Sequence, residues 1–137
     1  MAILLMDLDH FKLLNDTHGH LIGDEVLRRV GFLIADSIRK MDIAGRFGGE
    51  EFIVYLSNVQ SEYVFEIAEK IRHRVESEGR KGIGVDLLRP ITISVGVAQG
   101  VLKGMPQEAL EGLIKKADEA LYNAKKGGRN RVVVSEL

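Results

Sequence analysis

The sequence contains no cysteine, no long apolar run and no excess of either charge. The missing cysteine excludes disulfides, thiolate metal ligands and thiol nucleophiles. No apolar run approaches the roughly 20 residues of a membrane-spanning helix, and Asp7 interrupts the apolar start too soon for a signal peptide. With 19 basic and 20 acidic residues, no global field attracts nucleic acid or an anionic membrane. We therefore expect a cytoplasmic protein with neither of these partners, in which any phosphate binding is local.

What the sequence does contain is the alternation of strand and helix patterns expected of one domain. Its 137 residues, 45% of them apolar, suffice for a single hydrophobic core. Continuous or alternating apolar residues predict strands, and apolar residues at spacings of three and four predict helices. The predicted elements are strands over residues 2–6, 91–97 and 132–134, helices over about 24–42, 64–78 and 107–126, and a loop over 100–106. This order predicts an α/β sandwich, with helices packed on one mixed sheet.

Residues 46–52 read Arg-Phe-Gly-Gly-Glu-Glu-Phe and lie between two β-prone stretches, which predicts a hairpin. We expect the two glycines to supply positive φ angles and close backbone approach in the turn. The adjacent carboxylates of Glu50 and Glu51 repel each other, and a divalent cation is the commonest partner that makes such a pair favourable. The alternative is a solvated acidic hairpin tip.

Asp7 ends the first, buried strand, where ligands commonly meet an open α/β sheet. If the hairpin lies beside that strand end, three carboxylates form an oxygen-ligand site that suits Mg²⁺ or Mn²⁺. Two metals there could activate a hydroxyl and neutralise a phosphate in transfer. Asp9 is more typical of a local cap than of a metal ligand.

Groups that suit the binding of phosphates lie near both ends of the chain. The backbone N–H groups of His10, Phe11 and Lys12 could form an anion-binding turn at the start of a helix. Lys125 and Arg129 bracket a Lys-Gly-Gly turn, which is either a phosphate clamp or a helix C-terminal cap.

The guanine edge offers two N–H donors that a fixed carboxylate can accept, whereas adenine presents an acceptor there. We assign this role to Asp24, with Asn15 beside it. The alternative is that Asp24 only caps the second helix.

These motifs, in this order, resemble the GGDEF domain of diguanylate cyclases over residues 3–134. The stretches that carry the resemblance are 7–12, 15–16, 19–20, 23–24, 46–52, 93–96, 117–118 and 124–130. Glu50 stands where the family signature has Asp, and this is a familiar variant of the active type. The resemblance implies a palm-like nucleotidyl cyclase fold with a ferredoxin-like core, in which helices flank a mixed, mainly antiparallel sheet. It also implies that two face-to-face domains, each holding one GTP, form cyclic di-GMP and release pyrophosphate.

Matching positions imply a role for each site residue. The metal ligands would be Asp7, the Leu8 carbonyl, Glu50 and Glu51, with Glu50 or Glu51 also assisting deprotonation of a ribose hydroxyl. The guanine-reading pair would be Asn15 and Asp24, and the phosphate-binding residues Phe11, Lys12, Lys125 and Arg129.

The Arg39-Lys40-Met41-Asp42 segment matches the family's RxxD inhibitory site. An arginine there can stack on guanine and donate to its acceptors or to a phosphate, so we expect feedback by bound product. Lys70 stands where some members have another arginine, and because lysine lacks the planar fork we expect weaker product binding. The alternative is a helix C-terminus with basic residues.

Family members usually begin with a helix and an Asp-x-Leu-Thr-x-Leu-x-Asn-Arg loop before the first strand. This chain starts at that strand, so we expect a single domain over residues 1–137 without that helix, and without a sensor or coiled coil to bring two domains together. Turnover would then depend on a weak encounter between domains. The alternative function is a module that binds GTP or cyclic di-GMP without turnover.

Overall fold

The computed structural model describes residues 1–101 and 106–135. Within these ranges the chain forms five strands and four helices in the order β1 α1 α2 β2 β3 α3 β4 α4 β5. Their bounds are β1 Ala2–Leu8, α1 Phe11–His18, α2 His20–Ala35, β2 Ile43–Arg46, β3 Glu51–Leu56, α3 Ser61–Glu78, β4 Ile93–Gln99, α4 Pro106–Lys126 and β5 Val132–Val134. Residues 102–105, in the predicted loop over 100–106, lie outside the described residues. None of the helices in the described ranges is long and apolar enough to cross a membrane.

The sheet is mixed and mainly antiparallel, with the strand order β2-β3-β1-β4-β5. β1 pairs antiparallel with β3 and with β4, β2 pairs antiparallel with β3, and β5 runs parallel to β4. Every residue of β1 is buried, as its continuous apolar run predicts. The predicted fold class is therefore confirmed.

Helices cover both faces of the sheet. On one face, α2 and α3 pack Val26, Val30 and Ile71 into the larger part of the core. On the other face, α4 packs Leu113, Ala117 and Leu121 against alternate residues of β1. The two faces together bury the centre of the sheet and leave polar groups to gather at the strand ends.

The predicted bounds of the second helix are wrong at both ends. The helix starts at His20 because Gly19, at φ 91°, ends α1 and opens α2 directly after it. It ends at Ala35 because Ser37 donates its hydroxyl to the Leu33 carbonyl and its N–H to the Ile34 carbonyl, which closes the last turn. Asp24 therefore lies inside α2 and does not cap it.

Candidate active site

The end of β1 and the hairpin meet at one place in the sheet. Asp7 pairs with Glu51 in the register of β1 and β3. The Leu8 N–H donates to the Glu50 carbonyl at 3.3 Å. Burial raises the pKa of the Glu50 carboxyl above its ordinary value, and the charges of Asp7 and Glu51 add to this while Lys125 opposes it. The three carboxylates are thus close enough to influence one another.

Lys125, in the last turn of α4, forms an ion pair with the Asp7 Oδ2 atom. The Asp7 side chain is only 7% exposed, and its Oδ1 atom is buried without a hydrogen-bond partner in the described structure. A buried carboxylate oxygen that lacks a donor is costly, and such atoms are typical of sites completed by an ion or ligand.

The donors at this place suit a hard divalent cation. Asp7, the Leu8 carbonyl, Glu50 and Glu51 are all oxygen donors, the type Mg²⁺ prefers. The charges of Asp7 and Glu51, which add to the effect of burial on the pKa of Glu50, form an arrangement that a cation relieves. Among the described residues, however, no three His, Cys, Asp or Glu side chains lie close enough to form a ready ligand cluster. The metal site therefore stays a prediction, and the Lys125 ammonium supplies the positive charge beside Asp7.

The turn of the hairpin differs from the prediction in its backbone. β2 and β3 pair antiparallel, as predicted. Neither Gly48 nor Gly49 has a positive φ, because the turn is closed by Phe47 N–H donation to the Glu51 carbonyl at 2.8 Å and by an Arg46 contact to the Gly49 carbonyl. A Cβ on Gly49 would meet nothing within 4 Å. A Cβ on Gly48 would make ordinary contact with the Glu51 side chain at 3.7 Å. Gly49 therefore leaves open space next to Glu50, which suits close approach of a ligand to the backbone.

Asp9 is a structural anchor. Its carboxylate accepts hydrogen bonds from the Thr92 hydroxyl at 2.7 Å, the Ser94 hydroxyl at 2.6 Å and the Asn130 N–H at 3.0 Å. Three donors satisfy most of its acceptor capacity. The predicted local cap is wrong, because no side chain caps α1 and all three donors are distant in sequence.

The predicted phosphate turn lies at the start of α1. His10 adopts a left-handed conformation at φ 56°, and the helix begins at Phe11. The first N–H groups of a helix have no partner within it, so those of Phe11 and Lys12 are directed to whatever lies beyond the helix start. Phe11 is half-buried against the core, whereas the Lys12 side chain is exposed.

Asn15, in α1, lies against Gly23, the residue that precedes Asp24 in α2. The Asn15 Oδ1 atom is buried without a hydrogen-bond partner among the described residues, and it lies against Gly23. A Cβ on Gly23 would be 1.8 Å from that atom and 3.3 Å from the Phe11 ring. Gly23 therefore permits Asn15 to sit beside Asp24, and Asp24 is exposed and free of the capping role.

A cleft of about 500 Å³ separates α2 from the hairpin. Asp24, Leu27 and Arg28 line one side, and Arg46 and Phe52 line the other. Asn15 is not among the residues that line this cleft. A smaller cavity of about 160 Å³ lies beside α1. Its lining includes His10 and Phe11 of the predicted phosphate turn.

Arg39 and Asp42 form a closed pair in the turn after α2. The Arg39 guanidinium donates two hydrogen bonds to Asp42, at 2.9 and 2.8 Å, and one to the Ser57 carbonyl at 2.6 Å. Burial of Asp42 disfavours its charge, but the hydrogen bonds from Arg39 outweigh this and hold the pKa of Asp42 below its ordinary value of 3.8. The Lys70 ammonium donates to the Ser37 carbonyl of the same turn at 3.4 Å. The three residues of the predicted product site thus lie around one turn, with the Asp42 side chain fully buried. Arg39 lies beyond the C-terminus of α2, not in it.

The fold is that of a palm-like nucleotidyl cyclase. The family model described as "Diguanylate cyclase, GGDEF domain" matches residues 1–131. The chain belongs to this family.

Similar proteins carry the same domain. The chain is 40% identical over 136 residues to diguanylate cyclase A of Treponema denticola, covering 99% of this chain and 35% of that protein. It is 43% identical over 134 residues to the response regulator PleD of Caulobacter vibrioides, covering 97% of this chain and 29% of that protein. The chain therefore spans about a third of the length of these relatives.

The fold is also similar to that of solved structures. The GGDEF domain of DgcB from Caulobacter crescentus, in complex with c-di-GMP, has a TM-score of 0.84 and 36% identity, covering 97% of this chain and 76% of that one. The active GGEEF domain of a diguanylate cyclase from Vibrio cholerae has a TM-score of 0.84 and 34% identity, covering 99% and 83%.

Sequence reasoning missed two contributors to the site. Gly23 was considered only as part of a motif, although its lack of a side chain makes room for Asn15. Asn130 was seen only as the end of a motif, although it is tied to Asp9 and adopts a left-handed conformation at φ 44°. The one signal in the sequence was its place after two glycines, since asparagine tolerates that conformation better than most residues.

Proposed function

We propose that this chain is the catalytic domain of a diguanylate cyclase, which condenses two GTP molecules into cyclic di-GMP and releases pyrophosphate. The observation that carries the proposal is the pairing of Asp7 with Glu51 beside the open Gly48-Gly49 turn. The Vibrio cholerae structure described as an active GGEEF domain supports it, because residues 48–52 here read Gly-Gly-Glu-Glu-Phe.

In this proposal Asp24 and Asn15 select guanine. The Asp24 carboxylate accepts N–H groups from the Watson–Crick edge of the base, and Asn15 brings its unsatisfied Oδ1 atom to the same place. Adenine would leave these acceptors facing an acceptor, so it is rejected.

In this proposal the phosphates of GTP lie between the start of α1 and the loop that follows α4. The N–H groups at Phe11 and Lys12 face one side, and the Lys125 and Arg129 cations supply positive charge from the other. Asp7, the Leu8 carbonyl, Glu50 and Glu51 would hold Mg²⁺ or Mn²⁺, which when bound neutralises the charge on the triphosphate. Lys125 then turns from Asp7 towards the phosphates.

The reaction joins two nucleotides held by two domains. A ribose hydroxyl of one GTP attacks the innermost phosphorus of the other, so that an O–P bond forms, the bond to pyrophosphate breaks, and Glu50 or Glu51 takes the proton. A second transfer closes the ring. Because each domain holds one GTP, catalysis needs a homodimer in which the two sites face each other. Since the proposed substrate is GTP, the proposed location of the domain is the cytoplasm.

Product binding at Arg39, Asp42 and Lys70 would provide feedback. Arg39 already pairs with Asp42, and its Cζ atom lies 5.7 Å from the centroid of the exposed Tyr63 ring. A guanine base or phosphate of cyclic di-GMP would compete with the Asp42 and Ser57 contacts for this guanidinium.

A second candidate is a module that binds GTP or cyclic di-GMP without turnover. The Asp7–Lys125 ion pair, together with the lack of a ready three-carboxylate cluster in the described ranges, favours it. Incubation of the protein with GTP and Mg²⁺, with detection of cyclic di-GMP, separates the two. The enzyme forms product from GTP and not from ATP, whereas the module binds nucleotide and leaves GTP intact.

A further inference from the structure

The loop between α4 and β5 has an unusual backbone. Gly128, Arg129 and Asn130 follow one another with φ angles of 122°, 65° and 44°. Left-handed conformations disfavour side chains other than glycine, and Arg129 gains nothing from a short polar side chain that could bond locally. Surrounding contacts must therefore hold Arg129 in this conformation.

Two of these contacts belong to Arg129 itself. Its N–H donates to the Ala124 carbonyl at 3.0 Å, and its carbonyl accepts from the Arg131 Nε atom at 3.0 Å.

Further contacts are made by the next residue, Asn130. Its Oδ1 atom accepts a hydrogen bond from Arg72 at 2.9 Å, its amide group donates to Glu76 at 2.5 Å, and its backbone N–H donates to Asp9 at 3.0 Å. Asn130 thus connects α3 to the end of β1. It is fixed on both sides, whereas the neighbouring Arg129 side chain is exposed and makes no ion pair within residues 1–101 and 106–135.

The partner in α3 is itself held firmly. The Arg72 side chain is 15% exposed and pairs with Glu69 at 2.5 Å and with Glu76 at 3.5 Å. Its planar guanidinium can serve both carboxylates and Asn130 at once, which a flexible ammonium could not. The two carboxylate pairs lie within α3 and hold the guanidinium in place, and its hydrogen bond to Asn130 is the contact that reaches the loop.

We propose that Asn130, supported by Arg72, is a positioning residue that presents Arg129 to the phosphates of the nucleotide. This inference rests on the proposed function, since it takes Arg129 as a phosphate-binding cation. The link to Asp9 sets the loop against the strand end that carries Asp7 and Leu8. Lys125 reaches Asp7 from α4. The bonds to Ala124 and Arg131 fix only the Arg129 backbone locally, and Asn130 ties that backbone to α3 and to Asp9.

The test measures binding of two probes to the whole chain. The first is a GTP analogue with a methylene group between the α and β phosphorus atoms, which prevents cyclisation, and the second is guanosine, which has no phosphate. Asn130→Gly keeps the left-handed backbone and the N–H to Asp9, and removes only the side chain. We expect Asn130→Gly and Arg72→Gln each to weaken binding of the analogue by about tenfold, which is within the range measured for coupled neighbours. The affinity for guanosine should be unchanged.

Arg74→Gln is the matched control. Arg74 lies on the same helix and also pairs with two carboxylates, Asp36 and Glu78, at 3.1 Å each, but it does not contact the loop. This variant should bind the analogue as the parent does. The midpoint of thermal unfolding of each variant shows whether it is folded at the assay temperature.

A double-mutant cycle with Arg129→Ala separates positioning from general loosening. If Asn130 acts through Arg129, then Asn130→Gly changes the affinity by less than about twofold once Arg129 is gone. An equal loss in both backgrounds overturns the inference, and so does unchanged affinity in Asn130→Gly and Arg72→Gln when Arg129→Ala binds weakly. If instead Arg129→Ala binds the analogue as tightly as the parent, the proposed phosphate role of Arg129 fails first.

Discussion

Two single atoms mark the candidate site most clearly. Asp7 Oδ1 and Asn15 Oδ1 are the buried side-chain atoms without a hydrogen-bond partner in the part of the chain that the structure describes. Leaving such an atom unpaired costs about 1–3 kcal/mol, so native proteins rarely keep one without a use. One atom lies where a cation would bind, and the other where guanine would.

Gly23→Ala should lower the preference for GTP over ATP by about tenfold. The new methyl group would stand 1.8 Å from Asn15 Oδ1, so the Asn15 side chain must move away from Asp24. The ratio of the two dissociation constants measures this. Gly31→Ala is the control in the same helix, because its Cβ would make an ordinary contact of 3.5 Å with Phe52. An unchanged ratio in Gly23→Ala would show that Asn15 does not read the base.

Residue patterns alone singled out Asp7, the acidic hairpin, Asn15 and Asp24 as candidates. They could not give the atoms that stay unpaired, because pairing depends on neighbours distant in sequence. Asp9 illustrates this, since its partners Thr92, Ser94 and Asn130 lie 83, 85 and 121 positions away.

At the level of elements, periodicity predicted strands and helices better than it predicted their ends. The continuous apolar run gave β1, and the spacing of apolar residues gave α3 to within a few residues. The bounds of α2 failed because a single left-handed glycine and a serine hydroxyl set them, and neither changes the apolar period. The prediction of the hairpin was correct for the pairing of its strands and wrong for the φ angles of its two glycines.

The turn between α2 and β2 should carry an acid-sensitive part of the stability. The pKa of Asp42 is lowered in the folded chain, so its contribution is fully present above the ordinary value of 3.8 and is lost as the pH falls through the lowered pKa. Asp42→Asn should therefore unfold at a lower temperature near neutral pH, and its difference from the parent should shrink below pH 3.8.

Thermal unfolding across pH measures this difference, with Asp36→Asn as the control. The Asp36 side chain is 55% exposed, so its pairing with Arg74 contributes little. A difference between Asp42→Asn and the parent that does not vary with pH would contradict the role of the charged pair.

The same turn should determine binding of the product. Arg39→Ala removes the guanidinium that would grip cyclic di-GMP, and we expect a loss of affinity of about tenfold or more, as is usual for a charged hydrogen-bonding group. Arg39→Lys keeps the positive charge but lacks the planar N–H donors of the guanidinium. It therefore tests whether the donor geometry matters, if the alanine variant unfolds. The neighbouring, exposed Lys40→Ala should bind as the parent does. Titration with cyclic di-GMP measures all three, and equal affinities would remove the product site.

At the scale of the whole molecule, the sheet gathers distant parts of the sequence at the end of β1. Strand order β2-β3-β1-β4-β5 places β1 in the centre, with the hairpin on one side and β4 on the other. The resemblance to a known family predicted a mixed, mainly antiparallel sheet without its strand order, and composition and periodicity gave only helices on a mixed sheet. The arrangement of two domains depends on contacts between chains, which residue patterns within one chain do not encode.

The central claim is that Asp7, Glu50 and Glu51 together support metal-assisted joining of two GTP molecules. The most direct measurement is the rate of cyclic di-GMP formation from GTP and Mg²⁺ by the parent, by Glu51→Gln and by Glu62→Gln, which removes an exposed acid of α3. The account predicts that Glu51→Gln lowers the rate by about 100-fold, that Glu62→Gln does not, and that a chelator abolishes product. Synthesis by Glu51→Gln at the parent rate would contradict it.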